Sequence, residues 1–402
     1  MIKYLKQLPI QLIISIVASL ILGQVLGELI ISIFYTISSC LIQVLLFILP
    51  IMVFGFIFKA LVNIKHGSFL LIALIFVGVT LSNCIALTVA YLFGKTFLPF
   101  LGLTFSSDFA TNFSSKIVPF VTFNLMPIIK TEKALLLGII SGCMINVLNE
   151  SNPLKKLGTI GAMYLVEAVS FFLQKIFIPL LPLYVFGFCL KLSYDKVLIT
   201  LFEQYGKVFF LSMILVVAYI CILYILGAAG NLKKAKKDMK AMLPAGLTAF
   251  STMSSAATMP VTLQCTEKTT KDPDLSNLII PSTANIHMLG DDLTIVITAM
   301  SLLSIFGLPW PSPVQFLPFC LSFSIAKLSC VGVPGASVLV ILPVLQQHLG
   351  FTPVMISILT TIYTLQDSFG TAANVMGNGA FALIIQRILA CIRKLCYIKN
   401  TQ

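Results

Sequence analysis

Residues 367–378 read D-S-F-G-T-A-A-N-V-M-G-N and sit inside the last long apolar segment of an apolar chain. Asp367, Thr371, Asn374 and Asn378 are four, three and four residues apart. On a helix those steps set all four on one face. A polar stripe of this kind is costly in lipid and faces a protein interior or a water-filled cavity. It either binds something or merely hydrogen-bonds neighbouring helices, and the surrounding sequence has to decide between the two.

Of 402 residues, 58% are hydrophobic and only 10% charged, against about 25% charged in soluble domains. The mean hydropathy is +1.03. These values predict an all-α polytopic membrane protein. The net charge of +12 does not point to nucleic acid: the basic residues cluster between apolar spans, as topology signals do, and one tryptophan leaves little for bases to stack on. Ten cysteines form no C-x-x-C pair, and the three histidines, His66, His287 and His348, form no H-E-x-x-H. Buried thiols fit better than disulfides or a metal centre. The apolar run that follows Met1–Pro9 is too long for a signal-peptide core and reads as a first membrane helix.

Apolar spans are expected at 10–30, 40–61 (with Pro50), 69–93, 160–190 and 208–226, with a short piece at 134–147. A less apolar stretch, 95–130, carries S-S-D-F-A-T-N-F-S-S. Pro179 and Pro182 predict a kink or tilt in the fifth span. Lys3, Lys6, Lys65, Lys155, Lys156, the lysines at 233–240, Arg393, Lys394 and Lys399 all fall on one side if six spans alternate. That side, with both termini, is expected to be cytoplasmic.

Beyond Lys240 the pattern changes. Ser251, Thr252, Ser254, Ser255 and Thr258 interrupt one apolar stretch, N-I-H-M-L-G-D-D at 285–292 the next, and S-C-V-G-V-P-G-A-S at 329–337 a third. Irregular backbone at membrane depth is tolerated only where it lines a cavity or is buried in protein. Interrupted segments in corresponding positions are a sequence pointer to a transporter site. The first and third stretches read as re-entrant hairpins with tips at Ser254–Ser255 and Val333–Gly335. Helix ends at such tips offer N–H groups to a carboxylate and carbonyls to a cation.

Three motifs in order, S-T-M-S-S-A-A-T-M-P-V-T at 251–262, G-V-P-G-A at 332–336 and D-x-x-x-T-x-x-N at 367–374, resemble the dicarboxylate/amino acid:cation symporters, the family that includes glutamate transporters. The resemblance implies eight transmembrane helices plus two re-entrant hairpins, divided into scaffold and transport domains with inverted repeats. Residues 1–230 would be mainly scaffold and trimerisation spans, with parts of the transport domain. Residues 231–402 would be the transport core: a hairpin at about 241–265, a helix at about 274–306, a hairpin at about 312–350 and a helix at about 353–391. It further implies a homotrimer in the cell (inner) membrane, an elevator-type movement, an amino-acid substrate and Na+ or H+ as coupling ion. No catalytic residue and no other cofactor follow from it.

Carried over position by position, Asp367 would bind the substrate ammonium. Asn374 and Ser255, with Ser254 and backbone at Val333 and Gly335, would hold the carboxylate, and Thr371 would contact the side chain. The departures matter as much. Acidic-substrate members carry an arginine where Gly370 stands, and some carry one at Met253. Without a guanidinium fork, burying a second carboxylate costs several kcal/mol, so a small neutral amino acid is expected over glutamate or another dicarboxylate. Leu289 and Asn378 replace two sodium-binding aspartates, and leucine offers a hard cation no oxygen. Lys327 falls beside another sodium position. Coupling is therefore expected through fewer sodium ions or through protons, with His287, Met288, Asp291, Lys327, Asn374 and Asn378 as candidate groups, Asp292 as a further proton carrier and Lys327 as a tethered cation.

Other classes fit less well. Tyr194-Asp195 and Gly290-Asp291 suggest an intramembrane aspartyl protease, but Met288 stands where that family needs glycine. An anion channel would need no ammonium ligand such as Asp367. Glu167 and Lys175, eight apart, form a structural pair or snorkel. His287 is equally a packing residue or a proton carrier. Asn112-Phe113-Ser114 matches a glycosylation sequon.

Overall fold

The last helix is the axis on which the second half of the chain is assembled. In the computed structural model it runs Pro353–Asn400, past the expected end near 391, and it packs against most of the helices that follow residue 197. The structure describes residues 8–62, 69–102, 117–121, 125, 128–129, 131–149, 151–196, 198–328, 330 and 335–400. Val333, Lys3, Lys6, Lys65 and the 106–115 stretch with its sequon lie outside them. The described residues are helical throughout their regular structure, with no strand.

Fourteen α-helices are described: α1 (Leu8–Leu22), α2 (Glu28–Val62), α3 (Phe69–Phe97), α4 (Thr131–Val147), α5 (Pro153–Phe171), α6 (Ile178–Tyr194), α7 (Leu198–Gly227), α8 (Leu232–Thr252), α9 (Ser255–Thr270), α10 (Pro273–Thr283), α11 (Leu289–Ile305), α12 (Pro313–Lys327), α13 (Ala336–Leu349) and α14 (Pro353–Asn400). Among the described residues, three helices are long and apolar enough to cross a membrane: Ile75–Leu101, Glu203–Gly227 and Pro353–Cys391.

Three local features differ from expectation. The first expected span, 10–30, is broken after Leu22, and α2 begins at Glu28. A β-carbon on Gly23 would lie 2.6 Å from Ser193 Cβ and 2.9 Å from the Leu190 carbonyl, so the glycine lets the chain pass close to α6. The expected kink near Pro179 is a π-helical turn, Phe172–Phe177, inserted between α5 and α6. Such an insertion is one of the recognised ways to bend a helix. Glu167 and Lys175, on either side of its start, are exposed and form no ion pair. The hairpin expected from about 241 starts earlier: the lysines at 233–240 form the first turns of α8, capped by Asn231, whose side chain accepts from the Lys234 N–H.

Helices α1, α2, α4, α5 and α6 pack mainly on one another, whereas α3 and α7 join the group α8–α14. Lipid supplies no hydrophobic drive between helices, so close packing of small residues does the work. A β-carbon on Gly290 of α11 would lie 2.4 Å from the Gly370 carbonyl and 2.7 Å from Ala373 Cβ on α14. On the other side of α14, α8 runs antiparallel, with Met242 at Gly379, Gly246 at Met376 and the Phe250 ring 4.9 Å from that of Phe369.

Candidate functional site

The antiparallel register of α8 on α14, from Met242 at Gly379 to Phe250 at Phe369, brings the C-terminal end of α8 to a residue two positions from Asp367. Met253 there is left-handed (φ 53°) and buried, which ends α8. Ser254 then caps α9 by accepting from the Ala257 N–H at 3.2 Å, and Ser255 is buried in the first turn. The expected tip is thus a helix–turn–helix in which α9 starts from buried Ser254 and Ser255.

The α12–α13 pair reaches the same place. Gly335 has φ 74°, a conformation that favours glycine, and opens α13. Its N–H donates to Asp367 Oδ2 at 2.9 Å. Asp367 Oδ1 accepts from the hydroxyls of Tyr363 (3.2 Å) and Thr371 (3.1 Å). Asp367 is 3% exposed. All its donors are neutral, and among the described residues no ion pair reaches it. The N-terminal dipole of α13 favours the carboxylate, and among the described residues no cationic side chain pairs with it.

Asn374 lies two turns further along. Its Oδ1 accepts from the N–H groups of Gly290 (2.8 Å) and Asp291 (3.3 Å), capping α11. The break at 284–288 thus starts α11 against α14. The capping oxygen is committed to α11, so a further partner of Asn374 would meet its amide N–H groups. Gly370 makes room here: a β-carbon would lie 2.7 Å from Asp291 Oδ1.

The candidate cation groups separate into two sets. His287 is wholly buried, with Nδ1 2.8 Å from Asn378 Oδ1 and Nε2 2.9 Å from Ser82 Oγ. Because the amide oxygen only accepts, Nδ1 carries the proton and Nε2 accepts from the serine. Asn378 therefore spends its oxygen on His287. Lys327 forms the other set. Its Nζ is 3.5 Å from Asp291 Oδ2 and 3.7 Å from Asp292 Oδ1, hydrogen-bonds Ser337 and lies 4.0 Å from Met288 Sδ. Leu289 is fully buried against Gly377 and supplies no oxygen. The protease pairing fails: Asp195 is paired with Lys191 at 2.8 Å and Asp291 with Lys327.

With this geometry in place, comparison with known proteins decides the family. The sequence profile of the sodium:dicarboxylate symporter family matches residues 8–388. The chain belongs to that family. The serine/threonine transporter SstT of Acinetobacter baylyi is 30% identical over 155 residues, 37% of this chain and 38% of that protein. SstT of Bifidobacterium adolescentis is 34% identical over 141 residues, 34% of this chain and 32% of that protein. Excitatory amino acid transporter 3 of Mus musculus is 29% identical over 148 residues, 37% of this chain and 28% of that protein. These matches therefore span less than two-fifths of each relative's length.

Within this chain, three contributors escaped the sequence reading. Tyr363 was findable, because it precedes Asp367 by four residues and extends the same stripe back one turn. Ser337 and Ser82 were not: one meets Lys327 across a turn between two helices, the other meets His287 from 205 residues away.

Proposed function

We propose that this protein is a secondary active symporter, not an enzyme, that moves a small neutral amino acid across the cell (inner) membrane with cation coupling. In this reading eight transmembrane helices and two re-entrant hairpins, α8–α9 and α12–α13, build a scaffold and a transport domain within a homotrimer. The termini are cytoplasmic and movement is of the elevator type. The substrate's ammonium sits on Asp367 and its carboxylate on Ser254, Ser255 and Asn374, with backbone at Val333 and Gly335. Its side chain points towards Thr371.

The observation that carries the reading is Asp367, a buried carboxylate held only by neutral donors. A closed, low-dielectric site strengthens its pairing with an ammonium group. Two observations favour a neutral side chain. Gly370 leaves no guanidinium, and Asp291 Oδ1 fills the space beside it, so an acidic side chain would meet a like charge. The relatives named as serine/threonine transporters agree in kind.

The second reading is a glutamate, aspartate or dicarboxylate symporter, which the family description and the excitatory amino acid transporter match favour. It would need Lys327 to grip the second carboxylate, but Lys327 is already engaged by Asp291 and Asp292. Uptake into proteoliposomes, with a substrate panel and with sodium and proton gradients imposed separately, tests both. Serine, alanine or threonine uptake that glutamate does not inhibit is expected. Strong glutamate uptake without competition by serine or alanine would overturn the neutral-substrate reading.

A further inference from the structure

We infer that the Lys327 ammonium is a built-in cation: it fills a pocket that otherwise takes up a sodium ion, and it clasps the α12–α13 pair to α11. The clause about transport rests on the symporter reading, whereas the ion pocket stands on its own geometry.

Lys327 Nζ is fully buried and touches three elements besides its own helix axis. Asp291 and Asp292 come from the first turn of α11, Met288 from the residue that precedes that helix, and Ser337 from the first turn of α13. Carboxylate and hydroxyl oxygens converging on one buried point are the donor set a hard cation prefers. The point lies at the C-terminal end of α12, where the helix dipole also favours positive charge. In this chain the positive charge that meets those oxygens is covalently attached.

The charge count supports an ion pocket over a simple ion pair. Two carboxylates face one ammonium. Asp291 Oδ1 and both Asp292 oxygens accept no hydrogen bond among the described residues. Packing alone would be served by one carboxylate with its oxygens satisfied, because each unpaired buried charge is expensive. Removing Nζ would leave two buried carboxyl groups facing one point, with oxygens open to an external cation. Attaching the cation to the chain turns ion capture into an intramolecular event at high effective concentration.

The test compares the full-length wild type with Lys327→Met, which keeps length and removes charge, and Lys327→Arg, which keeps charge. Thermal unfolding is followed in sodium chloride and in choline chloride at equal ionic strength. Lys327→Met should gain a sodium-specific rise in midpoint of about 2 °C or more over the wild-type response, the size expected when a ligand binds only the folded state. Lys327→Arg should keep the wild-type response. In proteoliposomes, Lys327→Met should lose amino-acid uptake in sodium-free buffer and raise the apparent order in sodium by one. If Lys327→Met does not accumulate, Lys327→Met/Asp292→Asn restores the wild-type net charge and should fold without a sodium-specific gain. A Lys327→Met protein whose sodium response equals that of wild type overturns the inference. So does one rescued by acid alone, and so does a double variant with a full sodium gain. If wild type takes up no amino acid, the transport reading falls and the thermal comparison still decides the ion pocket.

Discussion

Two clusters of buried carboxylate lie side by side at helix N-termini in this molecule, and they are neutralised in opposite ways. Asp367 meets one backbone N–H and two hydroxyls, all without charge. Asp291 and Asp292 meet a lysine ammonium. The helix dipoles of α13 and α11 help both clusters about equally, by at most ~2 kcal/mol in partly buried geometry, so dipoles cannot account for the difference. On the proposed function, a carboxylate left with neutral donors in a closed site is one whose counter-charge would arrive with the substrate. A pair already holding an ammonium is one whose counter-charge stays. The sharpest way to break this contrast is Asp367→Asn, which keeps shape and removes only the charge. Substrate affinity should fall by about 100-fold, equivalent to ~2.7 kcal/mol and in the range of a lost charge-assisted bond, as read by binding calorimetry or by the concentration dependence of uptake. Unchanged affinity would mean that the ammonium sits elsewhere.

Much of this arrangement is written locally. The interruptions at 251–258, 285–292 and 329–337 place helix breaks where α8 gives way to α9, α10 to α11 and α12 to α13, because glycine, proline and side-chain caps act within a few residues of themselves. The stripe Asp367, Thr371, Asn374 and Asn378 is legible for the same reason: helical period is a local property. What is not legible is the partner of each group. Asn374 and Asn378 look like ligands in sequence, yet their oxygens are spent on the α11 N-terminus and on His287. That allocation depends on how α11 and α3 dock on α14, which no local rule sets. Gly370 reads in sequence as an absent arginine, and in the structure as the space into which Asp291 fits.

The crossing of α11 and α14 holds the two clusters in register, and glycines set its distance. Gly290→Ala would put a β-carbon 2.4 Å from the Gly370 carbonyl, a contact with backbone that has no side-chain rotamer to relax it. The expected cost is about 1–3 kcal/mol, seen as a lowered unfolding midpoint together with lost uptake. Gly370→Ala meets Asp291 Oδ1 at 2.7 Å instead, the far end of a side chain that can swing aside. It should be milder in stability and should act mainly on uptake, by moving Asp291 against Lys327. Equal stability losses for the two variants would mean that helix separation, not the Asp291 position, is what the glycines protect.

Smaller effects separate support from function within each cluster. Tyr363→Phe removes one of three donors to Asp367 and leaves the ring in place, so affinity should weaken by about fivefold, ~1 kcal/mol. An effect as large as that of Asp367→Asn would mean that the hydroxyl, not the carboxylate, contacts the substrate.

Ser82→Ala is the mildest change and decides the role of His287. The serine hydroxyl is 2.9 Å from Nε2, while Nδ1 stays 2.8 Å from Asn378. If His287 is a packing residue, losing one hydrogen bond should cost ~1 kcal/mol of stability and leave the pH dependence of uptake where it was. If His287 carries a proton during transport, its Nε2 partner governs how readily that nitrogen is protonated, and the pH profile should move while stability changes little. The orientation of the Asn378 oxygen towards Nδ1 favours the first outcome, because it fixes one tautomer and satisfies both ring nitrogens without a charge. A shifted pH profile in Ser82→Ala would place His287 beside Lys327 as a coupling group. An unshifted one would leave the Asp291–Asp292–Lys327 cluster as the remaining candidate for the coupling group.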